Sequence, residues 1–389
     1  FEHIIPSKRN NWLNLTDNDF ETLVPLVDKK EKQVIFRSFA NGVVTARDIW
    51  VYDVSKKNLE AKSKYLSDKY NKSIRTNKLD ALIKWSSGLK SHWKKKNKNK
   101  FTKNSIVTAN YRPFVKQYYY TEKKFSDRLT AFHYQMFGNS LDKENKLISF
   151  EAINAEYFTV LASNSLIDYA YLKTGNGGTQ SFSFYTYDPN GNRQENITGW
   201  GLSQFQTHYQ NTGITKLDIF HYTYAVLHNP QYRAKYELNL KRDFPRLPFY
   251  KDFSKWVSWG KSLMSLHIEY EKAEPFKLKI EHKELKKTVL IKPKLKAIKD
   301  IGIIELDTKT SLTGVPLQVW QYKLGNRSAI EWVLDQHKEK KIRDVTIREK
   351  FNTYRFADYK NQVINLLQRV CTVSLETMKI LEEMRKCND

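Results

Sequence analysis

The densest binding chemistry in this 389-residue chain lies in Asn110-Tyr111-Arg112-Pro113-Phe114-Val115-Lys116-Gln117-Tyr118-Tyr119-Tyr120. Arginine and lysine neutralise phosphates, arginine and glutamine can read base edges, and tyrosine rings can stack on bases. The competing role for this stretch is an aromatic strand with its tyrosines in a core. Arg112 and Gln117 are the members hardest to bury cheaply. Two lysine clusters add sequence-blind phosphate affinity or solvated faces. The first holds seven lysines between Lys90 and Lys103, including Lys94, Lys95 and Lys96, with no acid among them. The second holds ten from Lys272 to Lys299, against Glu274, Glu281 and Glu284.

Catalytic patterns are sparse. Asp300, then a strand ending in Asp307-Thr308-Lys309, resembles the acid and acid-x-Lys set with which a nuclease binds Mg²⁺ and activates water. The interval is short, and such triplets are frequent in a lysine-rich chain. Asp188-Pro189 is followed by Asn190, so the amino-methyltransferase tetrapeptide is missing, as are a phosphate loop ending in Lys-Ser/Thr and a His-Glu-x-x-His helix. Cys371 and Cys387 have no paired-ligand spacing for zinc. His221 and His228 lie on one helix face without a carboxylate nearby, which favours packing over a metal.

The composition bounds the partner. With 66 Lys+Arg against 42 Asp+Glu, the formal charge is +24, and nucleic acid is the commonest neutraliser of such an excess. Apolar residues make up 40%, enough for folded domains. A mean hydropathy of -0.65 and the lack of a long apolar run exclude a membrane-spanning helix. There is no apolar leader, and two cysteines suit a reducing compartment, so a cytoplasmic setting is expected. The first residue, Phe1, points to a processed product or a piece of a longer chain.

The elements that must position these residues predict an α+β fold: a mixed β core with helices packed on it and a helical C-terminal segment. Asp19–Val27 predicts a short helix. Gln33–Arg37 and Asp48–Asp53 predict strands, the second apolar on both faces. Helices are expected over Ser55 to about Tyr70 and Lys78 to about Lys95. Strands follow at Ile106–Ala109, Leu147–Phe150, Phe158–Ala162 and Ser181–Tyr187, the last closed by an Asp188-Pro189-Asn190-Gly191 turn. Thr215 and Asp218 form an acidic capping box ahead of Ile219–His228, and Asn229-Pro230 ends that helix. Asp252 starts another helix. Lysine-rich strands (277–280, 288–291, 301–306) lead to helices at Ser328–His337, Ala357–Val370 and Ser374–Met384.

Five longer segments together resemble the C-terminal specificity region of single-polypeptide Type ISP restriction-modification enzymes. They are Asn41–Asp53 (NGVVTARDIWVYD), Tyr111–Gln117 (YRPFVKQ), Phe220–Arg233 (FHYTYAVLHNPQYR), Phe244–Pro248 (FPRLP) and Tyr322–Trp332 (YKLGNRSAIEW). One departure is Ala46, where the family leads us to expect glycine. The resemblance implies a chain whose residues 1–105 finish a methyltransferase lobe and a helical connector. Residues 106–330 would form a mixed α/β target recognition domain, and 331–389 a helical end. It implies double-stranded DNA and the methyltransferase domain of the same polypeptide as partners, in anti-phage defence. S-adenosylmethionine, ATP and Mg²⁺ would serve the full-length enzyme, with no catalytic residue in this chain. The DNA-contacting candidates are Arg47, Lys94, Lys95, Lys96, Arg112, Lys116, Gln117, Lys173, Thr174, Asn176, Thr179, Gln180, Asn326 and Arg327. The alternatives are the Asp300/Asp307/Lys309 nuclease and a single-strand or RNA binder stacking bases on Tyr118–Tyr120.

Overall fold

A computed structural model describes residues 18–28, 32–153, 155–172, 177–284 and 290–387. The fold is α+β, with several small antiparallel sheets and helices packed on them. The Arg112 stretch forms a hairpin, Ile106–Arg112 with Val115–Tyr120, in register from Ile106↔Tyr120 to Asn110↔Lys116, with a shift before Arg112↔Val115. Pro113 and Phe114 make its turn. Proline presets the first position, but Phe114 sits at φ 58°, a region where side chains are costly. Packing holds it there: its ring meets Tyr270 edge-on at 5.2 Å and is 1% exposed. A third strand, Tyr52–Asp53, joins the hairpin, pairing Tyr52 with Tyr119.

A four-stranded antiparallel sheet lies beside it, in the order Ala40–Asn41, Gln180–Ser183, Leu147–Glu151, Thr159–Ser163. The helix Lys216–His228 supports it, with every residue from Ile219 to His228 buried. The expected capping box is there, with the Thr215 hydroxyl bonded to the Asp218 amide at 3.2 Å. Asn229 then serves as both the end of this helix and the cap of the next, Pro230–Lys235. The helix Phe253–Ile268 crosses it closely at Gly260, where a Cβ would lie 1.8 Å from the His221 carbonyl oxygen. Only glycine permits that approach.

The second lysine cluster forms its own sheet, in the order Lys279–His282, Thr310–Thr313, Ile303–Asp307, Pro293–Ile298. Ala329–Gln336 packs against the last of these strands. The expected strand at 288–291 falls partly outside the described residues.

Five expectations change. Asp48–Val51 is a helical turn rather than a strand, and only Tyr52–Asp53 is extended. The Thr45 hydroxyl accepts from the Arg47 amide at 3.1 Å and donates to the Asp48 carboxylate, so side chains close a turn there. Ala46 occupies φ 58° at that turn, the conformation that glycine tolerates best. Residues 78–86 are turns, and the helix is only Ser87–Lys94, capped by Ser86. Asp19–Val27 divides into a 3-10 turn, Phe20–Thr22, and a short strand, while Gln33–Arg37 contributes one bridge at Phe36.

The two C-terminal helices are one, Phe356–Lys386, 31 residues long. The segment joining them, Cys371-Thr372-Val373, contains β-branched residues of lower helix propensity. Burial of Cys371, Val373, Ser374 and Thr377 outweighs that local preference.

Candidate nucleic-acid interface

Strand alternation sends consecutive hairpin residues to opposite faces. Lys116 is ion-paired with Glu271 and lies 5.2 Å from the Tyr270 ring centroid. Gln117 instead lines a cleft of about 800 Å³. One wall is the N-terminal turn and strand, with Asp48, Ile49, Tyr52 and Asp53, and the other is the segment Gln336–Arg355. At the floor, buried Lys62 pairs with Asp53 at 2.7 Å and donates to the Ile49 carbonyl at 2.9 Å.

The far wall is irregular backbone, yet it is pinned. The Trp50 indole donates to Asp344 at 3.1 Å, Asn58 donates to the Phe351 carbonyl at 2.8 Å, and the Tyr354 hydroxyl to the His337 carbonyl at 2.8 Å. Four cations of this wall line the cleft, beside Glu339: Lys338, Lys340, Lys341 and Arg355. Desolvation lowers the Lys340 ammonium below its ordinary value; Asp335 opposes this, while Arg112, Arg327 and Lys338 push it further down. That mutual repulsion is the signature of positive charge gathered for an anionic partner.

Arg112 stands beside the cleft. Its guanidinium meets Asp168 at 2.6 Å and stacks over Tyr111 at 4.0 Å. Burial raises the Asp168 carboxyl, Arg112 counters it, and Asp48 adds to the rise. The contact therefore fixes Arg112 in place while 15% of its side chain stays exposed.

A second cleft, of about 510 Å³, adjoins the first through Lys338 and is lined by Lys294, Lys296, Arg327, Glu331 and Asp335. Arg327 pairs with Asp335 at 3.3 Å and lies 5.2 Å from the Trp332 ring. Gly325 and Asn326 form the turn that presents it, with Asn326 exposed.

The structure thus brings Arg112, Gln117, Asn326 and Arg327 into one neighbourhood. Other candidates lie elsewhere. Arg47 is 3% exposed, bonded to Ser86 at 2.7 Å and Asp127 at 3.3 Å, so it ties three segments together inside the protein. Thr179 is fully buried and its hydroxyl accepts from the Leu172 amide at 2.8 Å. Gln180 is half-buried in a central strand. Lys94, Lys95 and Lys96 are exposed at the end of the helix Ser87–Lys94. Lys173, Thr174 and Asn176 lie outside the described residues.

Residues the sequence reading missed include Lys338, Lys340 and Lys341, although the run from Lys338 to Arg343 carries four cations and one acid. A third groove, of about 520 Å³, collects Arg37, Gln135, Asn139, Gln194 and Asn196. These are side chains that suit base edges, on and around the hairpin closed by Asp188–Gly191. Arg37 donates to Gln194 at 3.2 Å across it.

The alternatives fare differently. Asp307 is 4% exposed, paired with Lys360 at 2.7 Å, and accepts from the Lys309 and Thr310 amides. Asp300 precedes the strand that Asp307 ends, and no group of three His, Cys, Asp or Glu suited to a metal occurs among the described residues. Tyr119 and Tyr120 are fully buried, so two of the three rings proposed for base stacking belong to the core. No helix among the described residues is long and apolar enough to cross a membrane.

The model of the Type ISP C-terminal specificity domain matches residues 34–366. The chain belongs to that family. Three solved structures resemble this specificity domain over 98% of its length. The DrdV–DNA complex, seen by cryo-electron microscopy, has a TM-score of 0.91 and 40% identity. The ATP-dependent Type ISP restriction-modification enzyme LlaBIII bound to DNA has 0.80 and 25%. A nuclease-deletion mutant of the Type ISP enzyme LlaGI, in complex with a DNA substrate mimic, has 0.78 and 28%. The specificity domain spans 40%, 26% and 36% of those chains respectively. A comparison with curated proteins gives no match.

Proposed function

We propose that this chain recognises a specific sequence in double-stranded DNA as the specificity domain of a Type ISP restriction-modification enzyme. The observation that carries the reading is its likeness to a DNA complex at 40% identity over 98% of its length. The gathered cations of the two joined clefts support it. On this reading Lys338, Lys340, Lys341 and Arg355 meet phosphates and set affinity. Gln117, Arg327, Asn326 and the exposed part of Arg112 read base edges near them. The amide-rich groove around Gln135, Asn139 and Gln194 is a second reading surface.

The finer mechanism belongs to the same proposal. Holding the duplex in register presents an adenine for N6 methylation, and an unmodified site licenses ATP-driven translocation and cleavage. Residues 1–105 complete a methyltransferase lobe, and S-adenosylmethionine, ATP and Mg²⁺ are used by domains outside this chain. Selection of competing duplexes from a randomised pool by the purified protein tests the reading. Enrichment of one sequence, with affinity falling steeply as salt rises, is expected. Equal retention of all sequences would rule it out, and preference for single strands would favour a stacking protein instead.

A further inference from the structure

Among the described residues, Arg47, Arg112, Lys62 and Arg233 are cations enclosed or nearly so, and the first three have a carboxylate. Arg47 has Asp127 at 3.3 Å, Arg112 has Asp168 at 2.6 Å, and Lys62 has Asp53 at 2.7 Å. Arg233 has none among the described residues. Its Nε donates to the Leu227 carbonyl at 2.7 Å, and its guanidinium lies 5.6 Å from the Phe158 ring. Burial pulls it down to about 10. An unpaired, desolvated guanidinium is costly, so its remaining N–H groups call for an anion.

Arg233 opens into a cavity of about 280 Å³ where the helices Lys216–His228, Pro230–Lys235 and Phe356–Lys386 meet Tyr322 and Lys323. The charged residues of its lining are Arg233, Lys323 and Arg385, with no acid. His228 also lines it, at 2% exposure, and supplies a second, independent observation. Its Nδ1–H donates to the Tyr224 carbonyl at 2.8 Å, which leaves Nε2 as an acceptor, and Nε2 has no partner. The volume is below that of drug-sized pockets, about 300–1,000 Å³, so the occupant is small.

We propose that this cavity is a phosphate site, in which Arg233, Lys323 and Arg385 hold the oxyanion and His228 Nε2 accepts from its P–OH. Inorganic phosphate carries that hydroxyl near neutral pH. A terminal phosphomonoester carries it only below its second pKa of about 6, so the 5′-phosphate comparison is made near pH 6. Sulfate and an internal phosphodiester do not carry it. The site is independent of the DNA-reading proposal. It lies in the Phe220–Arg233 segment, whose rings otherwise serve as scaffold. It also adjoins the hairpin's seat, since His267 lies 5.3 Å from His228, ring to ring, and 6.3 Å from Phe114.

Thermal unfolding in inorganic phosphate, against sodium chloride at equal ionic strength, tests the proposal. A saturable rise in Tm of a few degrees is expected with phosphate and a smaller one with sulfate. The rise should vanish in Arg233→Gln and in the Lys323→Ala/Arg385→Ala pair, whose exposed positions leave folding intact should Arg233→Gln unfold. A short duplex with and without 5′-phosphate separates the sources. A rise with free phosphate assigns a small-molecule anion, and one only with the 5′-phosphate assigns a nucleic-acid end. No rise with either, or a rise unchanged in the rim pair, would overturn the site, and equal rises in phosphate and sulfate would overturn the His228 contact.

Discussion

The core beneath the hairpin turn and the rim of the large cleft treat polar groups in opposite ways. In the core, His267 bonds the Tyr224 hydroxyl at 2.6 Å and the Tyr322 hydroxyl and Thr377 at 3.0 Å, so both of its ring nitrogens meet other protein atoms. At the rim, Lys338, Lys340 and Lys341 are exposed with few acids to meet them. Satisfied groups hold shape, and unsatisfied exposed cations await a partner. The contrast explains why the aromatic segment Phe220–Arg233 is framework, while contact chemistry lies on turns and on the link between the helices Ala329–Gln336 and Phe356–Lys386.

The largest way to break the core is acid. Burial lowers His267 to about 3 and His133 and His221 to about 4, and pushes His228 well below its ordinary value. These groups stay neutral in the folded protein, while the unfolded chain protonates below about 6.5. Their contribution is therefore whole above pH 6.5 and is lost as pH falls towards 4. The expected loss is up to about 1.4 kcal/mol per pH unit for each group. Urea unfolding at pH 7, 6 and 5 checks it, and a flat profile would contradict the buried, neutral assignment.

Arg112→Ala comes next and joins the two regions. Removing the guanidinium leaves Asp168, which is 3% exposed, without its ion partner, at a cost of about 3 kcal/mol. Denaturant midpoints should drop accordingly, so weakened DNA binding by this variant alone would not identify a base contact. Gln117→Ala separates the roles, because its side chain faces the cleft. On the DNA reading it relaxes preference at one base pair by about 1–3 kcal/mol, with the melting temperature nearly unchanged. Competition between target and single-substitution duplexes measures this. Lys340→Ala is the gentlest change. It should weaken all duplexes alike, reduce the salt slope by about one, and leave stability within about 0.5 kcal/mol.

Elements governed by neighbours in the chain were legible. The Thr215–Asp218 cap, the Asp252 cap, the Asn229-Pro230 break and the Asp188–Gly191 turn each depend on a few adjacent residues, and each stands where its residues predict. Elements decided by burial were not. Asp48–Asp53 has the same apolar pattern whether it is a strand or a turn of helix, and Thr45 and the Ala46 backbone tip it to helix. The C-terminal helix runs through a β-branched stretch because its buried face continues.

For the candidate site, residue type was visible and position was not. The sequence by itself determined a strongly basic α+β chain and its family likeness. It marked Arg112, Gln117, Asn326 and Arg327 as polar side chains in turns and strands that resist burial. It marked Arg47 in the same way, yet that guanidinium ends inside the protein because Asp127 and Ser86 converge on it. Only the tertiary structure decided that residues near 50, 117, 340 and 355 share one cleft. Their meeting depends on contacts such as Trp50 with Asp344 and Asn58 with Phe351, between segments almost three hundred residues apart. Local propensity reaches a few residues along the chain, whereas a binding surface is assembled by packing across all of it.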